Sequence, residues 1–194
     1  MQLRVLIHAP RGRDAAVVES VLSPHHKVHV CAEGEGLVQC MDQGGGAAVV
    51  TEEALADGKL MQDLVQWLTN QPSWSDFPFI VLATKQAGRR PADAVATLHS
   101  LGNVILLERP LNAETLASAA DAAVRARKRQ YATRQYLEEI SQTRTEVERL
   151  NGQLEARILE RTRELASAND RLMKEIAERE RAQAALTQVQ KLEA

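Results

Sequence analysis

The chain has 194 residues, 26 % of them charged and 44 % hydrophobic, with a formal net charge of −2. That length holds one ordinary domain with an added segment, or two small domains. Interleaved charges of both signs leave no polyanion-binding footprint and no acidic tail, which excludes nucleic acid as an expected partner.

The punctuation of the chain is lopsided. All six prolines precede residue 111, nine of the ten glycines precede residue 103, and no aromatic residue follows Tyr136. The first part therefore reads as a globular domain over residues 1–125, and residues 126–194, rich in Ala, Leu, Glu, Arg and Gln, read as one long helix.

In chain order, the opening MQLRVLIHAP has too short an apolar stretch before Pro10 for a signal sequence. No run of 18 apolar residues occurs anywhere, so a cytoplasmic protein without a membrane partner is expected. Short apolar runs bounded by turn formers predict strands at Leu3–Ala9, Lys27–Cys31, Ala47–Val50, Phe77–Ala83 and Asn103–Leu107. Apolar spacings of three and four predict helices at Asp14–Leu22, Gly36–Met41, Lys59–Leu68 and Ala92–Leu101. Strands that are apolar almost throughout suit a parallel sheet covered on both faces, so the predicted fold is a doubly wound five-stranded α/β sandwich. Ligands of such sheets bind beyond the carboxyl ends of the strands. The residues there are Ala9 and Pro10, then Thr51, Glu52 and Glu53, then Thr84, and finally Glu108, Arg109 and Pro110.

The other candidates carry less chemistry. The loop after the first strand, APRGRD, lacks a Gly-rich nucleotide fingerprint, although Arg11 and Arg13 offer cations to an anion. Gly44–Gly46 reads as a flexible connection. Pro24 and the run KVHV place His25 and His26 in a loop and His29 on a strand, with no third metal ligand adjoining in sequence. Cys31 and Cys40, in a chain without signs of secretion, are expected to be reduced thiols, outside any disulfide or zinc site. No cofactor is expected.

The order of elements and the segment LLERPLNAETL resemble the receiver domains of bacterial two-component systems, whose fifth strand ends in Lys-Pro before the last helix. The resemblance implies a cis peptide at Arg109-Pro110. It also implies a Mg²⁺-dependent phosphoacceptor site, and there the sequence departs from the family. Ala9 and Pro10 stand where an acidic pair holds the metal, and Glu52, or Thr51 in a register shifted by one, stands at the phosphoacceptor position. Ala83, followed by Thr84, takes the hydroxyl position, Arg109 the lysine position and Leu106 the aromatic switch position. Phosphoryl transfer needs a metal and a carboxylate in line, so the expectation is a degenerate receiver that accepts no phosphate and is not itself an enzyme. An ion pair between Glu52 and Arg109, fixing the domain in one state, is a further expectation.

From Asn112 helical periodicity runs to the end. With Leu137 at heptad position a, the a positions are Leu137, Arg144, Asn151, Ile158, Leu165, Leu172, Arg179 and Leu186. The d positions are Ile140, Val147, Leu154, Arg161, Ala168, Glu175, Ala182 and Val189. Apolar residues fill most of this seam, which predicts a parallel dimeric coiled coil; Asn151 sets register, and Arg144, Arg161, Glu175 and Arg179 weaken the seam locally. The stretch LEARILERTRELASANDRLMKEIAERERAQAALTQVQKLEA resembles the signalling helices that join sensory domains to the catalytic core of bacterial sensor histidine kinases. The resemblance implies a homodimeric input module, a kinase or other output domain after Ala194, and a protein partner at the receiver surface. No histidine of the chain (His8, His25, His26, His29, His99) lies in the context of the phosphorylated one. A stand-alone dimeric adaptor, or a phosphoaccepting receiver driving an output such as a nucleotide cyclase, are the competing readings.

Overall fold

The computed structural model describes residues 3–85 and 88–193, with side chains described at all of these except 35 and 184–193. Five strands, β1 (Arg4–His8), β2 (Lys27–Val30), β3 (Gly45–Thr51), β4 (Phe79–Thr84) and β5 (Val104–Arg109), form one parallel sheet in the order β2-β1-β3-β4-β5. Between and after them lie α1 (Asp14–Leu22), α2 (Gly34–Asp42), α3 (Glu52–Leu55), α4 (Gly58–Thr69), α5 (Ala92–Ser100) and α6 (Ala113–Glu193). The expected doubly wound sheet is the observed one. Its order reverses at β1 and β3, which opens a crevice at their carboxyl ends.

Each face of the sheet has its own core. Leu6, Ala48, Val50, Phe79 and Val81 meet Leu37 and Met41 of α2 and Leu60 and Leu64 of α4 on one side. On the other side Val5, Ile7, Val49, Ile80 and Leu82 meet Val18 and Leu22 of α1 and Leu116, Ala120, Ala123 and Val124 of α6. This two-sided burial is why the strands lack apolar-polar alternation. Burial of each large side chain contributes roughly 1.5–3 kcal/mol.

Two stretches differ from the sequence expectation. Gly44 does turn the chain, with φ +100°, but Gly45 and Gly46 begin the buried strand β3 and form no flexible loop. A Cβ on Gly45 would lie 2.8 Å from Leu6 Cδ1, and one on Gly46 2.8 Å from Leu3 Cβ. The ladder between β1 and β3 shifts register between Arg4 and Val5, opposite these glycines, a bulge that needs small residues. The second difference is α3, four residues long and too short to show a period.

The first compact unit runs from Met1 to Leu137 and the second from Glu138 to Ala194, so the boundary drawn at residue 125 falls inside α6. The reason is a cluster just past that point. Arg127 is buried, with its guanidinium 4.8 Å from the Tyr131 ring, 5.3 Å from Phe77 and 5.5 Å from Trp74. Its Nη1 donates to Ser75 Oγ (2.6 Å) and Gln130 Oε1 (2.7 Å). Gln130 Nε2 donates in turn to the Asp76 carbonyl (2.7 Å). Burial lowers the pKa of Arg127, and Tyr131 and Asp76 oppose that shift. Asn112 caps α6, its Oδ1 accepting from the amide of Glu114 at 2.8 Å.

In the second unit the seam side chains are exposed, from 49 % at Val147 to 70 % at Leu165. Asn151 is exposed among them. Leu186 and Val189 lie outside the residues whose side chains are described. Arg144 pairs with Glu148 (3.0 Å) and Arg161 with Glu164 (2.6 Å) on the same helix.

Candidate functional site

Sheet register gathers the strand ends at the crevice. His8 pairs with Val50 across β1 and β3, Thr51 with Leu82 across β3 and β4, and Thr84 with Arg109 across β4 and β5. Thr51, Thr84 and Arg109 thus each end a strand, Ala9 and Pro10 follow β1, and Glu52 opens α3. Ala83 is fully buried, and the Thr51 hydroxyl is buried with no hydrogen-bond partner among the described residues. The Arg109-Pro110 peptide is cis.

Arg109 occupies the centre of this rim. Its Nη1 donates to Asp14 Oδ2 at 2.6 Å, and its Nη2 donates to Glu53 Oε1 and, at 2.9 Å, to Thr84 Oγ1. One guanidinium therefore joins the ends of β4 and β5 to the starts of α1 and α3. The expected Glu52–Arg109 ion pair is corrected: the partner carboxylates are Glu53 and Asp14. Glu52 turns to Arg90 instead, accepting from its Nη1 at 2.7 Å, and also accepts from the Thr84 amide at 3.1 Å. Arg90 reaches a second carboxylate, Glu108, at 3.4 Å. Two arginines thus each bridge two carboxylates, and Thr84 links the two sets.

The electrostatics follow from these contacts. Burial pushes the Glu53 carboxyl up, but its own backbone amide and the hydrogen bond and charge of Arg109 outweigh that and hold it below the ordinary range. Burial likewise opposes the charge on Arg109, and Glu53 and Asp14 overcome it and raise its pKa.

A Mg²⁺ ion of the kind the receiver resemblance implies does not fit this donor set. Magnesium requires free oxygen ligands in near-octahedral array. Ala9 and Pro10 supply no side-chain oxygen, and Asp14, Glu52 and Glu53 are already held by guanidinium groups that bring a competing positive charge. The arrangement is chemically a set of ion pairs in which Asp14, Glu52 and Glu53 each face a guanidinium.

Of the residues singled out from sequence, the structure brings Glu52, Thr84 and Arg109 together, with Thr51, Ala83, Ala9, Pro10 and Pro110 along the same rim. Sequence reading missed the roles of Asp14, Glu53 and Arg90. Asp14 is visible in sequence only as an acid opening α1, Glu53 only as a neighbour of the expected site, and Arg90 carries no signal. Arg11 is exposed, as is Arg13. Leu106, at the expected switch position, is partly exposed on β5. His26 Nε2 lies 3.0 Å from Asp121 of α6.

No protein-family model matches this sequence, and no curated protein matches it. Solved structures do resemble it. A CheY-like response regulator receiver domain protein from Methanospirillum hungatei shares 12 % identity at a TM-score of 0.52, covering 67 % of this chain and 99 % of that one. NtrX from Brucella abortus, solved with ADP, shares 14 % identity at 0.55 over 70 % of this chain, which spans only 29 % of NtrX. An adenylate cyclase structure from Rhodopirellula baltica shares 14 % identity at 0.54, covering 71 % of this chain and 98 % of that one. The described residues of the five-stranded sheet and its helices thus have the receiver fold, whose last helix is the long α6 from Ala113. Among the described residues no helix is long and apolar enough to cross a membrane.

Proposed function

We propose that this chain is the signal-input and dimerisation module of a two-component sensor histidine kinase, built on a receiver-fold unit that accepts no phosphate. The observation that carries the first half of this reading is Arg109, whose guanidinium takes up Asp14, Glu53 and Thr84 together. A phosphoryl group and its metal would have to break those bonds and would gain no acidic pair after β1. The domain then acts by conformation and contact rather than by chemistry. A partner bound at the rim, or at the face of α5, β5 and α6 where Leu106 is exposed, changes the position of α6.

The second half rests on α6 itself, which supplies core residues to the receiver-fold unit and later carries the exposed apolar stripe. Two such stripes bury each other in a parallel homodimeric coiled coil through Leu137, Ile140, Val147, Asn151, Leu154, Ile158, Leu165, Leu172, Leu186 and Val189. The helix from Glu138 to Glu193 spans on the order of 80 Å at about 1.5 Å per residue, far beyond a Debye length of about 8 Å, so the signal along it is mechanical. A kinase core following Ala194 is the output of this reading. The Rhodopirellula neighbour, a structure named as an adenylate cyclase, favours one second reading, a cyclase as output.

Incubation of the reduced chain with Mg²⁺ and a small phosphodonor such as acetyl phosphate tests the input half. The expected result is no incorporation; stoichiometric acid-labile phosphate would overturn it. Cysteine placed at Leu172 in a chain lacking Cys31 and Cys40 tests the dimer, with a symmetric disulfide-linked pair expected in solution. Reading the natural gene beyond the codon for Ala194 separates a kinase from a cyclase output.

A further inference from the structure

Away from the rim, at the open edge of the sheet, three soft ligands converge. His29 lies on the edge strand β2, Cys31 follows that strand on the same face, and Cys40 comes from α2; their donor atoms all lie within 4.8 Å of one another. The convergence follows from topology. In a strand, residues two apart share a face, so His29 and Cys31 both point toward α2, and α2 returns across that face because Leu37 and Met41 belong to its core. Nothing in the sequence places Cys40 with the other two, which is why zinc was not expected there.

We propose that His29, Cys31 and Cys40 form a binding site for a soft d¹⁰ cation of the Zn²⁺ class, with a fourth position open to water or to a donor from a partner. Two thiolates and an imidazole are ligands zinc prefers, at about 2.3 Å for sulfur and about 2.0–2.1 Å for nitrogen, which sets tetrahedral donors roughly 3.5–3.8 Å apart. From separations of at most 4.8 Å, closing on the ion takes side-chain adjustments of about 1 Å.

The surroundings suit a held site. Cys31 is anchored by its backbone, its amide donating to the Ile7 carbonyl at 2.8 Å and its carbonyl lying 2.9 Å from His8 Nδ1. Its side chain is buried, that of Cys40 half-buried and that of His29 exposed, so the ion has a dry inner wall and an open side for entry. Burial and the neighbouring Cys40 push the Cys31 thiol up to about 12, against a favourable charge from Arg4; the metal must displace protons to bind, as at thiolate sites generally. Bound there, the cation ties the edge strand β2 to α2.

The test uses the whole chain, reduced and kept anaerobic. Titration with Co²⁺ is expected to give sulfur-to-cobalt charge transfer and tetrahedral visible bands saturating at one metal per chain, and Zn²⁺ is expected to erase them. Cys40→Ser and His29→Gln are each expected to weaken Zn²⁺ binding by more than about tenfold, the loss that even an outer-shell change produces, while His25→Gln leaves it unchanged. Zinc is also expected to protect both cysteines from alkylation. Because Cys31→Ser sits in the core, the two outer variants carry the test, with unchanged circular dichroism confirming their fold. Absence of charge-transfer bands from the reduced protein, or Zn²⁺ affinity insensitive to both Cys40→Ser and His29→Gln, would overturn the proposal.

Discussion

The side chains of Arg109, Asp14 and Glu53 are 24 %, 31 % and 34 % exposed, so their bonds are weaker than buried ones and stronger than those of a solvated pair. Arg109→Gln is therefore expected to lower unfolding free energy by about 1–2 kcal/mol at neutral pH, measured by urea titration. The pH dependence has a definite sign. Glu53 is held below its ordinary value of 4.5 in the folded chain, so its contribution is complete above that value and is lost as pH falls through the lower folded one. Stability is expected to drop on acidification below about pH 5, and Glu53→Gln should flatten that drop; an unchanged acid limb would show that Arg109 does not hold this carboxylate. The pairing itself was only partly legible. Arg109 and an acidic partner from the segment after β3 follow from the strand ends, but Glu52 and Glu53 are adjacent residues on a helical turn, about 100° apart. Which of them faces Arg109 depends on α3, whose four residues leave no periodic trace. Asp14 and Arg109 are 95 residues apart, and only the completed sheet brings them together.

Among the elements, the strands and long helices were legible because burial on both faces writes continuous apolar runs and α6 writes a seven-residue repeat. What failed were readings made from residue type alone. Glycines suggest a loop, yet Gly45 and Gly46 lie in the central strand because no Cβ fits against Leu3 and Leu6. Gly46→Ala is expected to cost about 1–3 kcal/mol, since a Cβ there also meets the Arg4 carbonyl at 3.2 Å and the backbone must shift. Gly36→Ala, in α2 with nothing within 4 Å, should instead stabilise by about 0.5–1 kcal/mol. Thermal melts of the two variants check both signs; a flexible connection at Gly46 would make the first substitution harmless. Three aromatic rings and Ser75 enclose Arg127, groups from separate segments that no local pattern in the sequence joins, and the first compact unit extends to Leu137.

At the scale of the whole molecule, the dimer proposal has the two units stabilised by different means, and that difference is measurable. The receiver-fold unit buries its apolar residues within one chain, so its unfolding is expected to be independent of protein concentration. The second unit leaves Leu154, Ile158 and Leu165 more than half exposed in a single chain, whereas most of a helix's stability in proteins comes from packing its apolar face rather than from propensity. On the dimer proposal its stability comes from a second copy and follows mass action. Thermal unfolding followed by far-ultraviolet circular dichroism is then expected to show two transitions, of which only the helical one moves upward as protein concentration is raised. Leu154→Lys, at a d position, should abolish that transition and give a monomer by sedimentation equilibrium, leaving the other unchanged. Asn151→Leu should raise the same transition while admitting oligomers larger than two, because a polar residue at an a position trades stability for a defined partner number. A helical transition that ignores both concentration and Leu154→Lys would mean that the stripe is covered by something other than a second copy, and the coil would then be a docking rod for foreign helices rather than the dimer axis of a sensor.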